Sequence, residues 1–280
     1  MASTPSSSAL KPLEETPARI ASREIFEKIY DDYNKRIYVS PDPLQFLYDY
    51  EDTADREVVG LIASGLAYGK VAQILKSVRK VLDALGPHPA EYLKNSCRRD
   101  HEEKLCGFVH RFTDCGEMCG FLAATGEVLR RCGSLEELFV TGYKGDMGAA
   151  MENFADTFNR CAGRENMFLL PRPSKGSACK RMALFLRWMV RRDDVDPGGW
   201  RGISPAELLI PLDTHMFNIT TTLGLCRSRS ANGRAAAEIT ENFREICPGD
   251  PVKYDFALTR YGIREEMTVE ELFAKWHLDR

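Results

Sequence analysis

What most restricts the fold of this 280-residue chain is the spacing of its apolar residues, which follows the helical period and almost never alternates. Ile25, Ile29, Tyr33 and Ile37 recur every four residues, with Phe26 and Tyr30 beside them, so one helix face carries an apolar stripe. Ser134 with Glu137, Ser204 with Glu207 and Thr268 with Glu271 each have the spacing of a capping box. In such a box a side-chain oxygen takes an amide that the first helical turn leaves unpaired. Pro205 follows Ser204 at the position where a missing amide costs least. Asp42-Pro43 and Asp250-Pro251 read as helix starts for the same reason. No Asn-Gly or Asp-Gly turn joins two β-branched runs, and no repeat of fixed period is present. The expected class is all-α, with about a dozen helices. Residues 1–17, rich in Ser, Thr and Pro, are expected to form a disordered leader, and 18–280 a single domain. Gly198-Gly199 reads as a loop between helices, with Trp200 beside it as an exposed aromatic.

Charge and cysteines narrow the chemistry. A formal net charge of −3 gives no global attraction to polyanions, so any nucleic-acid binding must come from a local patch. The nine cysteines lack the paired spacing of a zinc site, and Cys115 and Cys119 form an isolated CxxxC. Reduced thiols, no metal and no cofactor are expected. The first residues have no basic segment followed by an apolar one, and the run from Val58 to Gly69 is too short to cross a bilayer. A cytoplasmic protein without a membrane partner is the expectation.

One window concentrates positive charge. From Pro171 to Arg192 there are seven basic residues and no acid, and a Pro/Ser/Gly-containing loop leads into a helical pattern. Lys175, Gly176, Ser177, Arg181 and Arg187 are the expected DNA contacts. Exposed amides at a helix start and nearby cations together suit phosphate. The bland alternative is a solvated face opposite Met182, Phe185, Leu186 and Met189. If Ser177 caps this helix, Lys180 lies in its first turn, where the helix dipole disfavours a cation and favours a nucleophilic amine. Downstream, "LIPLDTHMFNITTTLGL" sets Asp213 before a helix that Gly224 would end. An N-cap explains the acid, and a carboxylate held there can also stabilise a developing cation.

These two segments resemble the helix-hairpin-helix DNA glycosylase superfamily, which includes endonuclease III and the 8-oxoguanine glycosylases. "PLDTH" is similar to the segment carrying that family's essential aspartate, and "KGSACKRMALFLRWMV" to the second half of its hairpin. Over its length the chain looks closest to a poorly characterised conserved prokaryotic family related to these enzymes, through "LAYGK", "FLRWMVRRDD", "PLDTH" and "DPVKYDFAL". The resemblance implies a two-lobed helical fold with a degenerate hairpin, Lys180 as Schiff-base nucleophile, and Asp213 as the catalytic carboxylate. Tyr68, Lys70, Trp188 and His215 would then line the base pocket. The implied activity is excision of a damaged base from DNA, with a lyase step. Only Cys226 and Cys247 lie beyond Asp213, so no iron–sulfur cluster is expected. Two alternatives stay open: a non-catalytic nucleic-acid binder on the same fold, or an enzyme acting on a free nucleoside or nucleotide.

Overall fold

The computed structural model describes residues 17–263 together with Leu272. Within them the chain is all-α. Helix α1 (Pro17–Tyr33) is followed by two 3-10 turns, Arg36–Tyr38 and Pro43–Asp49. Next come α2 (Thr53–Gly65), α3 (Val71–Leu85), α4 (Pro89–Asn95) and α5 (Arg98–Lys104). A short hairpin, β1 (Val109–His110) with β2 (Thr113–Asp114), leads to α6 (Cys115–Cys132), α7 (Leu135–Gly142) and α8 (Met147–Ala162). After a 3-10 turn at Pro173–Lys175 comes α9 (Lys180–Val190), then another at Pro205–Glu207. The order ends with α10 (Thr214–Thr222), α11 (Gly233–Ile246) and α12 (Asp255–Ile263). No helix among the described residues is long and apolar enough to cross a membrane.

Helix α2 is the pivot. Val58, Val59, Leu61 and Ile62 are buried on it, and it packs against α9 and the Pro43–Asp49 turn. Gly60 makes that packing close, because a Cβ there would lie 3.3 Å from Leu47 and 3.4 Å from both Met189 and Phe185. Helices α4–α8 pack among themselves, while α1 packs on α11 and α12, and α10 on α12. Helix α9 is thereby held at its start near α10 and along its length by α2.

Several local expectations are revised. Helix α1 stops at Tyr33, so Ile37 falls in the next turn and is 74% exposed. Pro17 belongs to α1 rather than to the leader, and residues 1–16 lie outside the described residues, as does the Thr268–Glu271 box. Ser134 does cap α7, taking the Glu137 amide at 3.0 Å. Ser204 takes the Ala206 amide at 3.3 Å but starts only the 3-10 turn, because the backbone leaves helical geometry at Leu208, φ −65° and ψ 148°. Asp250 starts no helix; its carboxylate accepts from Arg191 Nε at 2.8 Å, and α12 begins five residues later at Asp255.

Trp200 is buried rather than exposed, and the reason is electrostatic. Glu57 lies inside α2, and its carboxylate accepts from the Leu135 amide at 2.8 Å, the Glu136 amide at 3.2 Å and Trp200 Nε1 at 3.0 Å. The indole packs on Phe139 and Phe185, so the loop is drawn inward by one hydrogen bond and two ring contacts. Gly199, at φ 148°, permits the close pass, since a Cβ there would come 2.9 Å from Thr53. Burial pushes the Glu57 carboxyl up to about 7, with the three donors pulling against it. A carboxyl raised in the folded state binds protons more tightly than in the unfolded chain. Its contribution is therefore fully present below the unfolded value near 4.5 and is lost as pH rises through 7. The stability difference between wild type and Glu57→Gln, from urea titrations at a series of pH values, should move against the wild type by about 3 kcal/mol over that window. A flat difference would show that the carboxyl titrates no higher in the folded protein than in the unfolded chain.

Candidate active site

A cleft of about 490 Å³ opens where the starts of α9 and α10 meet the flank of α12. Lys180 and Asp213 both line it, and Lys180 Nζ lies 3.5 Å from Asp213 Oδ2. Each is placed by a helix start. Lys180 is the first residue of α9, preceded by Cys179 in a left-handed conformation at φ 48°. Ser177 is not the cap of α9; its Oγ accepts from the Cys179 amide at 3.0 Å and closes a turn before the helix begins. Asp213 divides its carboxylate between two tasks. Oδ1 takes the Met216 amide at 2.8 Å and caps α10, while Oδ2 faces the lysine. The side chains are 34% and 19% exposed, so both can be reached from solvent through the cleft.

Behind this pair stands a buried ionic network. Arg187 bonds Asp255 and lies 3.1 Å from Asp196, and Arg191 joins Asp196 to Asp193 and Asp250. Asp193 in turn takes the amides of Val195 and Asp196, which folds the segment after α9 back onto the helix. Burial pushes the Asp255 carboxyl up to about 6, with Arg187 opposing and Asp213 reinforcing the rise. For Arg187 burial opposes the charge, but Asp196 and Asp255 hold its pKa above the ordinary arginine value. Arg260, also in the cleft wall, lies 3.8 Å from Asp42. Lys180, Arg187 and Arg260 thus each face a carboxylate across the cleft or behind it, and the chamber is close to electrically neutral.

The other expected site residues divide. Trp188 and His215 line the cleft, Trp188 buried and His215 at its mouth beside Gly262. Tyr68 does not: its hydroxyl is tied to the His110 carbonyl at 2.8 Å and to Thr113 Oγ1 at 2.7 Å, beneath the hairpin. Lys70 is exposed just outside, between the cleft residues Gly69 and Val71. Arg187 is no DNA contact, because burial among acids fixes it in the core. Arg181 is also committed internally, donating to the Gly65 carbonyl at 3.3 Å and the Phe168 carbonyl at 2.5 Å while covering the rings of Tyr68 and Phe168. The Gly176 amide donates to the Pro173 carbonyl at 2.8 Å and so is not offered to a phosphate. Lys175 is exposed.

Some features of the site escaped the sequence reading. Asp255, Arg260 and Asp42 enter the cleft wall from segments distant in the chain, and no local spacing ties them to Lys180 or Asp213. The hairpin escaped as well, since two-residue strands show no alternation to detect. Its tip carries Arg111 at φ 51° and Phe112, 71% exposed, with the Phe112 ring 5.7 Å from that of Phe168. Arg111 lies over Gly69, where a Cβ would come 2.8 Å from its Cδ, so the tip sits at the cleft rim. Among the described residues no three His, Cys, Asp or Glu side chains cluster to hold a metal ion.

The model of the DUF2400 family, described as a protein of unknown function, matches residues 42–264. The chain belongs to DUF2400. The match spans every lining residue of the cleft except Pro41, so the Lys180–Asp213 pair lies within the family's own extent in this DUF2400 chain. No curated protein and no solved structure matches it.

Proposed function

We propose that this chain is a DNA glycosylase with an associated lyase step, acting on a damaged nucleotide turned out of the duplex into the cleft. The observation that carries the reading is the amine and carboxylate 3.5 Å apart in a solvent-connected chamber, each at the start of its own helix. Turning a nucleotide out costs about a few kcal/mol, least for a damaged or mispaired base. Once water is displaced, Lys180 gives a proton to Asp213 and its amine attacks C1′ of the deoxyribose. The bond from C1′ to the base breaks, and the base leaves with the electron pair and a proton. Asp213 returns its proton to the departing base as this bond lengthens, and the restored carboxylate offsets the positive charge left on the sugar. The sugar ring opens to an iminium on Lys180. Loss of a C2′ proton then expels the 3′ phosphate, and water releases the lysine.

The near-neutral chamber favours an uncharged base over a free nucleotide, whose phosphates would find each cation already facing an acid. Phe112, exposed at the rim, suits stacking on a base left behind in the duplex, and Lys175 suits a backbone phosphate.

Borohydride trapping on duplex DNA with an abasic site tests the covalent step. Wild type is expected to give a stable protein–DNA band that Lys180→Ala loses. A band of equal intensity in the variant would sink the Schiff base at this residue. Retained binding with no band from either protein would leave the non-catalytic reading.

A further inference from the structure

Away from the cleft, the ends of α4 and α5 meet the outer faces of α6 and α8 around a second depression of about 760 Å³. Lys94, Arg98, Arg130, Arg131 and Arg160 line it, and the acids among its lining residues are Asp100 and Glu127. Both acids are already occupied. Asp100 takes the Cys97 amide at 2.7 Å, and Glu127 is held by Arg130 and Arg131. Arg98 bonds Glu102 along its own helix at 2.7 Å, and Arg160 donates to Thr157 Oγ1 at 2.8 Å. Arg131 and Arg160 are exposed. A chain of net charge −3 has thus gathered five cations from four helices at one concave place. The Ser96 hydroxyl, which also lines it, is buried and has no hydrogen-bond partner.

We propose that this depression is a binding site for a compact ligand carrying linked phosphates, such as pyrophosphate, triphosphate or the polyphosphate end of a nucleotide. Guanidinium groups present planar forks of donors that match phosphate oxygens two at a time. Arg130 is held in the wall by Glu127 and the Leu93 and Lys94 carbonyls, and Arg98 by Glu102, so Lys94, Arg160 and the exposed Arg131 are the cations that can each meet a different oxygen of the same anion. The cations ring a hollow rather than following a stripe, which suits a compact anion better than the evenly spaced phosphates of a strand. The site is independent of the proposed chemistry at Lys180, and its fate does not bear on that reading.

The test is a calorimetric titration of the full chain at low salt with inorganic triphosphate, and separately with a nucleoside triphosphate and a duplex oligonucleotide. Saturable triphosphate binding is expected, weakened by on the order of tenfold or more in Arg131→Glu/Arg160→Glu. The neutral pair Arg131→Gln/Arg160→Gln should fall between, and serves if charge reversal impairs folding. A nucleoside triphosphate that binds no better than inorganic triphosphate would identify the phosphates as the recognised part. Absence of saturable triphosphate binding, equal affinity in both double variants, or binding of duplex alone would overturn the proposal.

Discussion

Asp213→Asn should lower the single-turnover rate of base release by about 10²- to 10³-fold while moving the melting temperature by about 2–4 °C at most. The two effects separate because the two carboxylate oxygens do different work. Oδ1 caps α10 through the Met216 amide, and an asparagine side-chain oxygen caps about as well as that of aspartate. Oδ2 faces Lys180 Nζ, and there an amide group supplies neither a negative charge nor a proton acceptor. The lost ion pair is partly solvated, so its effect on stability is small. Single-turnover kinetics on a lesion-bearing duplex, beside a thermal melt of the same preparation, reads both quantities. A large fall in melting temperature with the rate intact would reduce Asp213 to a helix cap and remove the proposed chemistry.

Arg187→Ala should lose about 3–5 kcal/mol of folding stability in urea denaturation. Truncation leaves Asp255 without its guanidinium partner and Asp196 with Arg191 alone, both carboxylates inside the core. The loss has a pH signature. Burial already raises the Asp255 carboxyl to about 6 in the presence of Arg187, and without that cation it rises further. A carboxyl raised in the folded state contributes stability at acid pH that disappears as pH climbs through its folded value. The deficit of the variant should therefore be smaller at pH 5 than at pH 8. Arg99→Ala is the control: its pair with Glu103 is solvent-exposed within one helix, and the change should stay within about 0.5 kcal/mol. Equal losses from the two variants would mean that the buried network contributes no more than a surface pair.

Much of the architecture was legible because helices are written locally. Apolar spacing marks the buried face of α1, and Ser134 and Asp213 mark helix starts through the amides that they accept. Asp213 was legible as a candidate because a helix start favours an acid, and Lys180 because the same place disfavours a cation and the segment around it resembles the glycosylase hairpin. The same signals misled where tertiary demand overrode them. Asp250 has the local form of a cap but serves Arg191, and Trp200 has the setting of a loop aromatic but serves Glu57. Arg187 and Arg191 look like part of a basic surface until their acids arrive from elsewhere in the chain.

By itself, then, the sequence determined the helical class, several helix starts, and the two residues on which the chemistry is proposed to turn. Only the tertiary structure decided that Lys180 and Asp213 share a cleft, that Arg181 and Arg187 are committed inward, and that Asp255, Arg260 and Asp42 complete the walls. Capping and helical periodicity act within a few residues and leave a mark in the local sequence. Charge pairing and burial act through space, and a residue's partner can lie anywhere in the chain.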